Sequence, residues 1–191
     1  MDKGFDFREW KKKNAGKEIR TNDLRKIIKP GTRIFIGTAA SEPLVLTEEL
    51  NKEKLRWIDC QLVHFLTIST QKYFSKHHPT LFRHNTLSMI GSPQVREAVY
   101  RGKSDFTPVA SYQLSQLLKH NIIPVDVCLL QLSPPDPHGY CSFGINVDVN
   151  KTVAEVAKTI VAHINPRMPR TRGDSDIHVS KFDYFIVEER P

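Results

Sequence analysis

Six apolar runs recur along this 191-residue chain, separated by segments of helical spacing. That alternation constrains the fold more than any single motif. The runs are Arg33 to Gly37, Leu62 to Ser69, Asp105 to Val109, Val125 to Leu132, Thr159 to Ile164 and Tyr184 to Val187. Most are continuous, as expected of parallel strands covered on both faces. Between them, Leu46 and Leu50 lie four apart. Val95, Ala98 and Val99 follow i, i+3, i+4, and Leu114, Leu117 and Leu118 repeat that spacing, as do Val153, Val156 and Ala157. Each stripe buries one helix face against a sheet. The pattern predicts an α/β fold with a mostly parallel sheet flanked by helices.

Residues 1–29 read as a polar, helical lead-in, in which Trp10, Leu24, Ile27 and Ile28 can pack on the body or on a partner. Pro30-Gly31 punctuates the chain, and residues 30–191 form the domain proper. Hydrophobic content of 39% with 26% charged residues suits a soluble globular protein. No apolar run approaches the roughly 20 residues that span a bilayer. The stretch from Met1 to Trp10 has no apolar signal-peptide core. The expected setting is therefore cytoplasmic, with no membrane partner. Cys60, Cys128 and Cys141 are too widely spaced for a disulfide framework or a zinc pattern. His77 and His78 are adjacent and cannot share a helix face as ligands. No metal is expected.

The net charge of +7 favours an anionic partner such as a phosphorylated cofactor. A nucleic-acid partner is not expected, because no helix-turn-helix, zinc finger or RNA-binding aromatic pattern is present.

Two loops stand out. Ser133-Pro134-Pro135-Asp136-Pro137-His138-Gly139-Tyr140 follows the strongest apolar run and leads into Cys141-Ser142-Phe143-Gly144-Ile145-Asn146. Three prolines in four positions continue neither a helix nor a central strand. Gly37-Thr38-Ala39-Ala40-Ser41-Glu42-Pro43 follows the first run. Its small residues admit a ligand close to the backbone. Ser41 is placed to cap the next helix, Pro43 suits a first turn, and Glu42 lies at the positive helix end. In a parallel sheet both loops leave the carboxyl edge and converge on one crevice. Asn165 to Ser175, with Arg167, Arg170 and Arg172, leaves the same edge. These arginines face either an anionic ligand or the nearby Asp174 and Asp176. His138 is either a substrate contact or a loop-fixing histidine, whereas His163 reads as a core histidine.

Ser133 to Gly144 resembles a motif of the acetyl-CoA hydrolase/transferase family, which includes 4-hydroxybutyrate CoA-transferases. Phe35-Ile36-Gly37-Thr38-Ala39-Ala40-Ser41-Glu42-Pro43, Phe82-Arg83-His84-Asn85-Thr86, and Asn165 to Thr171 with Gly173 to Ser180 resemble it too, in the family's order. The likeness covers about residues 30–190 and only the amino-terminal half of such enzymes. It implies the CoA-transferase α/β fold, coenzyme A or an acyl-CoA as substrate with no permanently bound cofactor, and a small carboxylate as second substrate.

In that family a glutamate attacks the acyl-CoA and passes through a glutamyl-CoA thioester. It lies in the carboxyl-terminal half, so the resemblance implies that no catalytic residue is in this chain, and Glu42 is not expected to be the nucleophile. Substrate contacts are expected from Gly37, Thr38, Ala39 and Ser41 and from Pro135, His138, Gly139 and Asn146. The implied partner is a carboxyl-terminal domain, with a homo-oligomer open. Acyl-CoA hydrolysis, a parent protein bearing an added acetyltransferase domain, and a non-catalytic module that binds CoA or a nucleic acid through its basic surface remain alternatives.

Overall fold

The computed structural model describes residues 5–52, 57–68, 82–87 and 93–191. Every strand of its main sheet is parallel to its neighbours. The strands are β1 (Arg33–Ile36), β2 (Cys60–His64), β3 (Phe82–Leu87), β4 (Asp105–Thr107), β5 (Val127–Leu132), β7 (Thr159–Ile164) and β9 (Tyr184–Val187). They lie in the order β4-β3-β2-β1-β5-β7-β9. Two short strands, β6 (Tyr140–Ser142) and β8 (Asp176–His178), pair antiparallel in a separate ribbon.

All six apolar runs overlap strands of this sheet, and Thr159–Ile164 and Tyr184–Val187 match to the residue. The others are shorter or shifted. The run expected from Val125 begins at Val127, because Asp126 turns outward to accept the Arg33 N–H at 2.9 Å and the Lys158 ammonium at 2.7 Å. The run expected from Leu62 begins at Cys60 and ends at His64. Strands β3, β6 and β8 were not anticipated. Phe-Arg-His-Asn-Thr-Leu lacks a continuous apolar run, and three-residue ribbon strands carry too little pattern to read.

Alternate residues of the strands feed two cores, one on each face of the sheet. Phe35, Val63, Cys128, Leu130, Ile160, Ala162 and Phe185 face α5 (Leu114–Lys119) and α6 (Asn150–Val156). Ile34, Ile36, Leu62, Val127, Leu129 and Val161 face α2 (Leu24–Ile27) and α3 (Leu44–Lys52). The helical stripes read from sequence supply these contacts through Leu46, Leu50, Leu114, Leu118 and Val153. α4 (Pro93–Tyr100) buries Val95 and Ala98 as its spacing predicts.

The lead-in belongs to the body. α1 (Phe7–Lys13) is capped by Asp6, whose carboxylate accepts the Arg8 and Glu9 N–H groups. Trp10 packs on Phe185 with ring centroids 4.9 Å apart. Glu18 bridges to Phe185 along the free edge of β9, and Leu24 and Ile28 are fully buried. Among the described residues no helix is long and apolar enough to cross a membrane, and no three His, Cys, Asp or Glu side chains gather where a metal ion would sit. His77 and His78 lie outside the described residues.

Candidate functional site

The chain reverses direction across the sheet between β1 and β5. From β1 it builds β2, β3 and β4 on one side, then returns to β5 on the other. Loops leaving the carboxyl ends of β1 and β5 part there, and such switch points are where open α/β sheets bind ligands.

The loop after β1 is held by the segment that follows the ribbon strand β6. The Thr38 hydroxyl donates to Asp148 Oδ2 at 2.9 Å, and the Thr38 N–H donates to Asn150 Oδ1 at 3.1 Å. The Ser41 hydroxyl donates to the Phe143 carbonyl at 3.1 Å and accepts the Asn146 N–H at 3.0 Å. Asn150 Nδ2 closes the set by donating to the Asn146 carbonyl at 2.8 Å. Thr38, Ser41 and Asn150 are buried. Ser41 is thus not the helix cap expected of it. Its hydroxyl joins two loops, and Pro43 supplies the first carbonyl of α3, accepting from Leu46 and Thr47.

Gly37 is fitted at the root of this loop. A Cβ there would stand 3.0 Å from the Ser41 carbonyl oxygen and 3.2 Å from that of Leu129. Ala39 adopts φ +46°, a left-handed turn that points the chain back toward β2. Its N–H donates to the Leu66 carbonyl at 2.7 Å. Glu42, 2% exposed, accepts the Ile68 N–H through Oε2 at 2.7 Å. Three loops therefore meet at the switch point: those after β1 and β2, and the segment 143–150.

Of the expected site residues, Gly37, Thr38, Ala39, Ser41 and Asn146 lie together in this cluster. Pro135, His138 and Gly139 lie at the tip of a hairpin, with other neighbours. Ser133 and Asp136 pair by backbone with Ser142 and Tyr140. Asp136 accepts the His138 and Tyr140 N–H groups at 2.8 and 2.9 Å. Burial raises the Asp136 pKa, but those two N–H groups and the Arg170 charge outweigh it and leave the carboxyl below its ordinary range. The tip is strapped by Phe5, whose N–H donates to the Pro137 carbonyl at 2.7 Å, and by Val179, which donates to Gly139. His138 is exposed and Gly139 is buried, with φ +86° and His178 against it.

Arg170 holds the base of the hairpin, donating to the Pro134 and Tyr140 carbonyls at 2.8 and 2.7 Å and pairing with Asp176 at 3.4 Å. That is the structural reading of the arginine loop for this residue. Arg167 pairs with Glu189. A cavity of about 520 Å³ opens beyond the hairpin, lined by Tyr140, Phe143, Lys151, His178 and Lys181 among others, and none of the expected site residues borders it.

Sequence reading missed Asp148, Asn150 and the Glu42–Ile68 link. The alternation Asn146-x-Asp148-x-Asn150 after a glycine was the available signal. It also missed His64, whose imidazole lies between Thr67 and Thr86 at 3.4 and 3.3 Å, and which burial pushes down to about 4. His163 is a core histidine bonded through Nε2 to the Glu188 carbonyl at 2.8 Å. All three cysteines are buried, and burial pushes the Cys141 thiol up to about 12.

Residues 3–191 match the family model described as the acetyl-CoA hydrolase/transferase N-terminal domain. The chain is 38% identical over 183 residues to a 4-hydroxybutyrate coenzyme A transferase of Clostridium kluyveri, covering 96% of this chain and 42% of that protein. It is 31% identical over 166 residues to a succinyl-CoA:acetate/propanoyl-CoA:succinate CoA transferase of Fasciola hepatica, covering 86% and 34%. The fold also matches the crystal structure of RipA from Yersinia pestis, with a TM-score of 0.81 at 22% identity, over 93% of this chain and 43% of that one. The chain thus spans about two fifths or less of the length of these relatives. It belongs to the acetyl-CoA hydrolase/transferase family and comprises that family's amino-terminal domain.

Proposed function

We propose that this domain forms one wall of the acyl-CoA and carboxylate site of a CoA-transferase, and that a carboxyl-terminal half supplies the attacking glutamate. The carrying observation is the hydrogen-bonded meeting of the Gly37–Ser41 loop with the segment from Phe143 to Asn150 at the switch point. In the proposed reaction a glutamate carboxylate attacks the thioester carbonyl and expels CoA thiolate, leaving a mixed anhydride. The thiolate then attacks the glutamyl carbonyl, releasing the first acid and leaving a glutamyl-CoA thioester. A second carboxylate reverses both steps and leaves as acyl-CoA, a ping-pong sequence. This chain positions the acyl end of the substrate, and Gly37 fixes the loop by packing against the Ser41 and Leu129 carbonyls. Glu42 suits a positioning role better than attack, since it is buried and engaged by the Ile68 N–H. Pro135, His138 and Gly139, at the hairpin tip with other neighbours, are left outside this proposed wall.

CoA transfer from acetyl-CoA to butyrate, measured for the chain alone, for the carboxyl-terminal half alone and for the two joined, tests this. Only the joined form is expected to transfer CoA, and its release of free acid without an acceptor separates hydrolysis from transfer. Robust turnover by the isolated chain would overturn the assignment of the nucleophile to the other half.

A further inference from the structure

The cavity beyond the hairpin lies among α6, the β6–β8 ribbon and the turn Val179–Lys181, and none of Thr38, Ser41 and Asn146 borders it. Its volume of about 520 Å³ is in the range of small-molecule sites. Two small side chains, Ala154 in α6 and Ala157 at its end, leave the room. Phe143, Ile160 and Ile177, all buried, give it an apolar wall. Beside that wall the Tyr140 ring, 45% exposed, meets the His178 ring edge-on with centroids 5.0 Å apart. Exposed rings of this kind accept a further aromatic group stacked or edge-on.

One positive charge in this lining is free. Lys151 pairs with Asp174. The acids of the lining are engaged as well. Glu155 pairs with Lys119 at 3.6 Å, Asp176 pairs with Arg170 at 3.4 Å, and Asp183 accepts the Ile160 N–H at 2.8 Å. Lys181 has no hydrogen-bond or ion-pair partner among the described residues. His178, three positions before it, accepts the Ser180 N–H through Nδ1 at 3.3 Å. With Nδ1 an acceptor, the neutral ring carries its proton on Nε2, a donor without a partner among the described residues. An ammonium and a ring N–H on adjoining turns of the chain suit a carboxylate. The three acids nearby disfavour a second negative charge, which sets a phosphate dianion aside.

We propose that this cavity binds a small aryl monocarboxylate, its ring system against Tyr140, Phe143 and Ile177 and its carboxylate at Lys181 and His178. The site stands apart from the proposed wall of the CoA-transferase site, and the inference does not rest on that reading.

The test is a two-dimensional amide NMR titration of the chain with 2-naphthoate, with 2-naphthylmethanol and inorganic phosphate as controls. 2-Naphthoate is expected to shift the Ala154, Ala157, Ile177 and His178 amides saturably, with a dissociation constant of about 1 mM or tighter. The uncharged alcohol should bind about 3- to 10-fold more weakly, and Lys181→Met should weaken 2-naphthoate by a similar factor while leaving the alcohol unchanged. Ala154→Leu should fill the cavity and abolish binding of both. Lys181 is exposed, so its variant should fold and decides the matter even if Ala154→Leu does not. Shifts confined to Thr38, Ser41 and Asn146 would place 2-naphthoate at the switch point, which overturns this inference and leaves the CoA-transferase reading standing. Equal binding of acid and alcohol, or an unchanged constant in Lys181→Met, would mean that no anion is recognised here and overturns it too. So would phosphate shifting the same amides as strongly, or no saturable shift at all.

Discussion

Thr38 and Asp148 lie 110 positions apart in the chain and are joined by a hydrogen bond of 2.9 Å. With the Ser41 bonds beside it, this contact clamps the loop after β1 to the segment that returns from the hairpin after β5. It converts a gap in the strand order into a shaped surface.

Ser41→Ala should weaken that clamp. The hydroxyl is buried and serves as both donor and acceptor, so its removal leaves the Phe143 carbonyl and the Asn146 N–H without their partner. A buried group left unpaired costs about 1–3 kcal/mol. Urea denaturation should show a lower midpoint by that amount with an unchanged slope. A midpoint within error of the parent chain would mean that the two loops hold together without it.

The amino-terminal segment should stabilise the domain and not merely precede it. Trp10 covers Phe185 on the edge strand and is flanked by Phe7 in a stacked arrangement at 5.9 Å. Because Trp10 is only partly buried, Trp10→Ala is expected to lose about 2–3 kcal/mol, below the range for fully buried tryptophan. A thermal midpoint lower by several degrees would record it. No change would place α1 outside the cooperative unit.

Stability should fall as pH drops from 7 toward 4. Complete burial lowers the His64 pKa to about 4, and burial lowers that of His163 as well. Between the unfolded value near 6.5 and those folded values, the unfolded chain binds protons that the folded chain does not. The unfolding free energy therefore rises with pH across that window, and the full penalty is present below the folded pKa. His64 alone accounts for about 3 kcal/mol, at 1.36 kcal/mol per unit. Between pH 7.5 and 5.0 about 2 kcal/mol of that should appear as a lower denaturation midpoint, and His64→Gln should flatten the difference. An identical slope in that variant would remove His64 from the explanation.

The layer architecture was legible because its causes are local. Continuous apolar runs such as Thr159–Ile164 state burial on both faces, and Leu114 with Leu118 states a one-sided helix. The hairpin Ser133–Tyr140 was legible as a stop, since its prolines bar both regular structures. β3 was illegible for the opposite reason. Arg83, Asn85 and Thr86 carry no apolar run, and pairing with β2 and β4 makes the segment a strand. Ser41 shows the same limit. Its local pattern reads as a helix cap, yet the partner that outcompetes the helix lies about a hundred positions away.

By itself, then, the sequence determined the layers, the turns and the family of this protein, because periodicity and short motifs act within a few residues. The tertiary structure alone decided the strand order, the alliance of Thr38 and Ser41 with residues 143–150, and the separation of Asn146 from the His138 tip. Those depend on which distant segments are brought within hydrogen-bond reach, and no local pattern encodes that choice.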